Sequence, residues 1–251
     1  MVKLGVILLS GGLDSTTMAT YAIKQGYGLT GLTFHYGQKH SKEVESAKKI
    51  AELLGINQEV IDISFFRKLA WYSALTSSND FAIPKHRNAK EMTNDIPITY
   101  VPLRNTFFIT LAAAFLESEA LNLIENKKLN PANCEVSIFV AANAIDYSGY
   151  PDCRPEFYQA MAKTLFKGSK LGAQYGIAIN IETPLISKTK AEIVNLGIEL
   201  GAPLEHTWSC YEGGEVPCGR CDSCVLRAKG FATAGYEDPL IVRLRRHGKI
   251  T

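Results

Sequence analysis

The chain has 251 residues, 46% hydrophobic and 21% charged, with a formal charge of +2 at pH 7. That is globular composition with enough chain to bury a sizeable core, which excludes disorder, collagen, coiled coil and a disulfide-stapled miniprotein. The small net charge gives no argument for general nucleic-acid binding, and six cysteines are too few for a disulfide framework in a chain of this size. The longest uncharged stretches, such as Asn105–Leu116, fall short of the roughly 18–20 apolar residues of a membrane span. The apolar run after Met1 is short and leads into a glycine turn, so it is not a signal peptide. The expectation is a cytoplasmic protein with no membrane partner.

Leu4–Leu9 is a continuous apolar run, the pattern of a buried parallel strand. A helix is predicted over Asp14–Gln25, with Gly26 placed to end it. Leu29–Phe34 reads as a second strand. Ser41–Leu54 puts Val44, Ala47, Ile50, Ala51 and Leu54 on one helical face, with Gly55 as its stop, and Glu59–Ile63 alternates as a third strand. This β-α-β-α-β order implies a parallel sheet with right-handed crossovers. Ser64–Val101 contains Pro84 and Pro97 and shows no clean period; a stretch this long is functional or mobile. Asn105–Leu121 is apolar almost all round, which predicts a deeply buried helix.

Glu135–Ala142 is the next strand. Pro155 opens a helix through about Phe166, and Ile177–Ile181 is a further strand. Thr189 and Glu192 form a capping-box pattern ahead of Ile193, Leu196 and Leu200, and Gly201 closes that helix. Beyond it, cysteines and glycines replace periodicity, and Val242–Lys249 reads as a basic tail. The fold class is α/β: a doubly wound, mostly parallel sheet with helices on both faces, plus a small C-terminal metal-binding subdomain. The expected division is a domain over residues 1–200 and a four-cysteine region with basic tail over 201–251.

Ser10-Gly11-Gly12-Leu13-Asp14-Ser15-Thr16 lies between the first strand and the first helix. A helix N-terminus leaves backbone N–H groups unpaired and carries partial positive charge. Two glycines let the backbone approach an oxyanion and two serines add hydroxyl donors, so the segment predicts a phosphate cradle. It is neither Gly-x-Gly-x-x-Gly nor a Walker A sequence. Near the other end, Cys210, Cys218, Cys221 and Cys224 follow the pattern Cys-x7-Cys-Gly-x-Cys-x-x-Cys. Four thiolates supply the closed tetrahedral shell of structural zinc. A redox pair with two bystanders, or an iron–sulfur cluster, uses the same residue types.

The Ser-Gly-Gly-x-Asp-Ser segment resembles the pyrophosphate (PP) loop of the N-type ATP pyrophosphatases, whose fold is that of the adenine nucleotide alpha hydrolases. Pro184–Glu192 looks like that superfamily's late lysine motif, with Lys190 leaning on the phosphates. The match then narrows. Tyr36–His40, Thr99–Thr106, Asp146-Tyr147-Ser148-Gly149-Tyr150-Pro151-Asp152-Cys153-Arg154 and Thr207–Tyr211 occur in order. Together they resemble the 7-cyano-7-deazaguanine synthase family of the queuosine and archaeosine pathways. The chain departs from the family at Leu103, where alanine is usual, at the alanines of Ala141–Ala144, where a glycine is usual, and in an insertion over Leu121–Cys134.

The resemblance implies an ATP-dependent carbon–nitrogen ligase whose substrates are 7-carboxy-7-deazaguanine, ammonia and ATP. ATP would be held by Leu8, Leu9, Ser10, Gly11, Gly12, Leu13, Asp14, Ser15, Thr16, Thr17 and Met18. Asp14, Arg104 and Lys190 are the implied catalytic residues, Asp14 on Mg²⁺ and the two cations on charge growing at the leaving phosphate. Asp146, Tyr147, Asp152 and Arg154 would hold the deazaguanine, Arg154 as a fork on its carboxylate. One Zn²⁺ per chain on the four cysteines, a homodimer and no direct nucleic-acid partner are expected. The loop type implies adenylation with AMP release; ADP with phosphate is the other product pair. Two other readings use the same features: a PP-loop tRNA thiolation enzyme with persulfide on a cysteine pair, and a non-catalytic zinc module.

Overall fold

The computed structural model describes residues 1–36, 42–77, 80–82, 84, 96–143 and 150–250. Among them run β1 (Val2–Leu8), α1 (Leu13–Lys24), β2 (Gly28–His35), α2 (Lys42–Leu54), β3 (Asn57–Asp62), α3 (Phe66–Leu69), α4 (Arg104–Leu121), β4 (Cys134–Phe139), α5 (Pro155–Gly168), α6 (Lys170–Tyr175), β5 (Ile179–Glu182), α7 (Lys190–Glu199), α8 (Asp222–Ala234) and α9 (Pro239–Arg246). The strands form one parallel sheet in the order β3-β2-β1-β4-β5. β1 lies at its centre, with Val6 opposite Thr30 of β2 and Ile138 of β4.

Strand periodicity divides the core into two layers. Side chains alternate across a pleated sheet, so Val6, Leu32, Phe34, Val136 and Ile138 meet α4, α5 and α6 on one face. Ile7, Leu29 and Phe139 meet α1, α2 and α7 on the other. The doubly wound α/β architecture expected from the sequence is therefore present. Helix punctuation follows the glycines: Gly26 has φ +83°, and the N–H groups of Gly26 and Tyr27 return to Ile23 and Ala22, tying off α1. The capping box at Thr189 and Glu192 is formed in both directions.

Two expectations are corrected. α4 is not buried all round: Ile109, Ala112, Ala113, Leu116 and Ala120 are buried, while Thr110, Ala114 and Ser118 form an exposed stripe. Its neighbours are the sheet on one side and solvent on the other, so composition overstated its burial. With the π-helical turn Asn122–Asn126 it makes a 23-residue helical run that contains an 18-residue window of mean hydropathy 1.5. By length and composition that run could cross a membrane; it packs against β1 and β4 as a core helix. Finally, the chain beyond Gly201 is helical. α8 and α9 were missed because α8 starts inside the cysteine spacing and α9 has only eight residues, yet Asp238 caps α9, Pro239 opens it, and Leu240 and Leu244 bury its inner face. α3 and α6 are likewise short helices without a sequence period.

Candidate active site

The chain runs outward from β1 through β2 to β3, then returns to place β4 on β1's other side. Strand order reverses there, and the loops leaving adjacent C-terminal strand ends diverge to open a crevice. A cavity of about 360 Å³ occupies that crevice. Its walls come from the loop after β1, the first turns of α2 and α4, the segment after β4, Lys190 and the Trp208–Tyr211 segment.

The loop after β1 forms one end. Gly12 is the N-cap of α1 and supplies no side-chain cap, so the N–H groups of Leu13, Asp14 and Ser15 have no intrahelical acceptor. Ser10 Oγ lies 3.0 Å from Ser15 Oγ and accepts from Gly12 N–H at 3.3 Å. This is a donor-rich concavity suited to an anion. Gly11 serves a different purpose: at φ +79° it has no side chain because a Cβ would stand 2.5 Å from Glu43 O and 2.6 Å from Ala47 N. Its absence seats α2 against the loop. The Gly11 carbonyl accepts from Trp208 N–H at 2.9 Å, and Ser46 Oγ lies 2.9 Å from it and 2.5 Å from His206 O. The C-terminal region thus holds the loop from behind.

Leu8, Leu9, Ser10, Gly12, Leu13, Asp14 and Ser15 line the cavity. Gly11, Thr16, Thr17 and Met18 do not. Thr16 bonds back to Gly12 O at 2.8 Å, Thr17 faces Gly197, and Met18 is in the core. Lys190, the first residue of α7, reaches Asp14 with Nζ 2.7 and 3.0 Å from its carboxylate oxygens. Gly230 of α8 makes this possible, since a Cβ there would lie 2.4 Å from Lys190 Cγ.

Arg104 marks the other end. Burial disfavours its charge, but Tyr36, Tyr150, Asp152 and Cys153 around it outweigh that and keep it firmly protonated. Leu103 before it is left-handed at φ 55°. Asp152 is buried and accepts from Asn105 N–H at 3.2 Å, so its carboxylate anchors the start of α4 and does not line the cavity. Burial pushes that carboxyl up, against the pull of Arg104. Arg154 is exposed at the N-cap of α5 and also lies outside the cavity wall. Asp146 and Tyr147 fall outside the described residues.

The sulfurs of Cys210, Cys218, Cys221 and Cys224 lie within 4.8 Å of one another. A tetrahedron of sulfurs about 2.3 Å from a zinc ion has edges of about 3.8 Å, and Cys218 Sγ stands 4.0 Å from Cys224 Sγ. Backbone N–H groups of Cys218 and Cys221 point at the sulfurs of Cys210 and Cys218, both at 3.3 Å, and such bonds favour thiolate. The donor set therefore fits a tetrahedral metal ion. Behind it, buried Arg227 forks onto Asp238 at 2.6 and 2.9 Å and donates to Thr207 Oγ1 at 2.8 Å.

Residues 4–235 match the family model described as queuosine biosynthesis protein QueC. The chain belongs to the QueC family. Among QueC relatives, it is 46% identical to a 7-cyano-7-deazaguanine synthase of Thermoplasma acidophilum, over 95% of this chain and 91% of that one. It is 45% identical to the enzyme of that name from Trichodesmium erythraeum, over 94% and 99% of the two chains. Oceanobacillus iheyensis has a 40% identical counterpart, over 95% and 97%. Sequence reasoning missed Glu43, Asn143, Arg227 and Gly230 in this QueC site. Glu43 looked like a surface position of an amphipathic helix, and nothing local marks the others.

Proposed function

We propose that the chain is an ATP-dependent ligase that converts 7-carboxy-7-deazaguanine and ammonia to the nitrile 7-cyano-7-deazaguanine. The observation that carries this reading is the single cavity that joins an uncapped helix N-terminus, lined by Ser10, Gly12 and Ser15, to a guanidinium held charged at Arg104. Such a cavity suits a triphosphate beside a carboxylate. The substrate carboxylate is activated by ATP and displaced by ammonia to the amide; the amide oxygen is then activated and eliminated.

Ser10, Gly12 and Ser15 bind phosphate, with the N–H groups of Leu13, Asp14 and Ser15 donating. Lys190 moves from Asp14 to the phosphates as charge develops on the leaving group. Asp14 would hold Mg²⁺, which shields the phosphate oxygens when bound. Cys210, Cys218, Cys221 and Cys224 would hold one Zn²⁺ as a structural ion, stiffening the region that carries Trp208 to Gly11. Arg104, which faces the cavity, is better placed than Arg154 to meet the carboxylate. Asp146 and Tyr147 are assigned to the deazaguanine, and Asp152 acts on it through Arg104 and Asn105. Residues 201–251 serve as a subdomain on the first 200. A homodimer with no direct nucleic-acid partner belongs to the same proposal.

Steady-state kinetics on the acid and on its amide test this. The amide should need one nucleotide and no ammonia, the acid two nucleotides and ammonia. Failure to consume the amide, or sulfur transfer to tRNA in its place, overturns the reading.

A further inference from the structure

The proposed reaction has to dispose of protons. Ammonia enters with three N–H bonds and ends as a nitrile nitrogen with none. Two carboxylates line the cavity among the described residues, Asp14 and Glu43. Asp14 is already engaged by both contacts of Lys190. Glu43, in the first turn of α2, has its main chain pressed against the phosphate loop at Gly11. Its half-buried side chain makes no hydrogen bond to another described residue.

The groups that act on it come from separate elements: Arg104 from α4, Tyr36 from the end of β2, and Cys210 from the C-terminal region. Its neighbour Lys42 also lines the cavity and holds its ammonium 3.3 Å from Glu215 and 3.5 Å from Glu45. Burial pushes the Glu43 carboxyl up to about 7; Arg104 opposes the rise and the Cys210 sulfur adds to it. Burial is the largest of these causes. A base is most useful when its proton affinity lies near the working pH.

We propose that Glu43 is the catalytic residue that accepts the protons shed by the ammonia nitrogen, a role that rests on the ligase reading above. In the first step the nitrogen lone pair forms a bond to the activated carbonyl carbon. The carbon–oxygen bond to AMP breaks and its electron pair leaves with AMP. One N–H proton passes to the Glu43 carboxylate and on to water. In the second step the amide oxygen attacks the α-phosphorus of a second ATP and releases pyrophosphate. Two N–H protons then leave in turn by the same route, and their electron pairs build the carbon–nitrogen triple bond as AMP departs with the oxygen. Attack of the substrate carboxylate on ATP sheds no proton, so it needs no base.

That difference gives the test. Glu43→Gln and Glu43→Asp are compared with the wild type in two assays on the metal-loaded protein. One is acid-dependent exchange of labelled pyrophosphate into ATP without ammonia. The other is conversion of the amide to nitrile across a pH series, which avoids the titration of ammonium. Exchange in Glu43→Gln should stay within about threefold, while nitrile formation falls roughly 100-fold or more. Wild-type amide turnover should rise with pH through about 7 as Glu43 loses its proton. That limb should vanish in Glu43→Gln and shift to lower pH in Glu43→Asp. Parallel loss of exchange and turnover makes Glu43 a positioning residue and overturns the proposal, as does unchanged turnover with the limb intact. Should Glu43→Gln not fold, the displaced limb of Glu43→Asp decides. A wild type that exchanges pyrophosphate but makes no nitrile overturns the ligase reading, and the role of Glu43 with it.

Discussion

The two ends of the cavity are built in opposite ways. The phosphate-loop end comes from one stretch, Leu8–Ser15, whose shape follows from a strand, two glycines and a helix start. The Arg104 end is assembled from Tyr36, Glu43, Arg104, Tyr150 and Cys153, on four separate parts of the chain. Backbone geometry fixes the first locally, and its donors are mostly backbone N–H groups, which a change of side chain other than to proline leaves in place. The second depends on side chains brought together by packing, and its charge states are set by burial and by one another. A contiguous cradle of N–H groups can be read from a motif; a site dispersed over four parts of the chain cannot.

The largest expected effect strikes both ends together. Cys221→Ser should abolish metal binding and most soluble protein, because structural metal binding is coupled to folding and contributes on the order of 10 kcal/mol in small metal-dependent domains. Metal analysis and thermal melting check it; a folded, active, metal-free variant would show that the cysteine region does not support the loop.

Gly12→Val should separate the two ends. A Cβ at Gly12 would sit 3.3 Å from the rotatable Ser10 Oγ and at ordinary van der Waals distance, 3.6 Å, from Trp208 O, so the fold should survive. The side chain would occupy the phosphate approach, and ATP affinity should drop roughly 100-fold, a loss of about 2.7 kcal/mol. Calorimetric titration with ATP measures this, and normal affinity would make the loop merely structural. Arg104→Lys should do the reverse, leaving ATP affinity near wild type and lowering acid turnover about 10- to 100-fold, because a point charge replaces a planar fork. Loss confined to ATP binding would move Arg104 to the phosphate end.

The smallest effect sharpens the comparison. Leu103 holds a left-handed backbone that costs an L-residue roughly 1–2 kcal/mol. Leu103→Gly should relieve part of that and raise the melting temperature by about 1–3 °C, with a small fall in turnover if the strain helps to orient Arg104. A lower melting temperature would mean that the exposed Leu103 side chain contributes more than its backbone costs.

The same contrast explains what the sequence revealed. Five strands and the longer helices between them were legible because buried parallel strands are mostly apolar runs and Gly26, Gly55 and Gly201 punctuate the helices. The phosphate loop and the cysteine cluster were legible as spacing. Asp152 and Arg154 sit within the run most specific to the family, yet one carboxylate turns to α4 and the other side chain to solvent, since a 3-10 turn at Pro151–Cys153 faces them away from the cavity wall. Glu43 was invisible because its heptad neighbours Glu45 and Lys49 are ordinary solvent-facing charges, and only the seating of Gly11 against α2 brings it indoors.

On the proposed reading, one cavity turns a carboxylate and ammonia into a nitrile at the expense of ATP. Mass spectrometry after incubation of the purified protein with ATP, isotopically labelled ammonium and 7-carboxy-7-deazaguanine tests it most directly. The expected result is a nitrile product with one labelled nitrogen, preceded by labelled amide at early times, and no product when ATP is withheld. ATP consumption without label in the base, or labelled nitrile with no amide at any time, would contradict it.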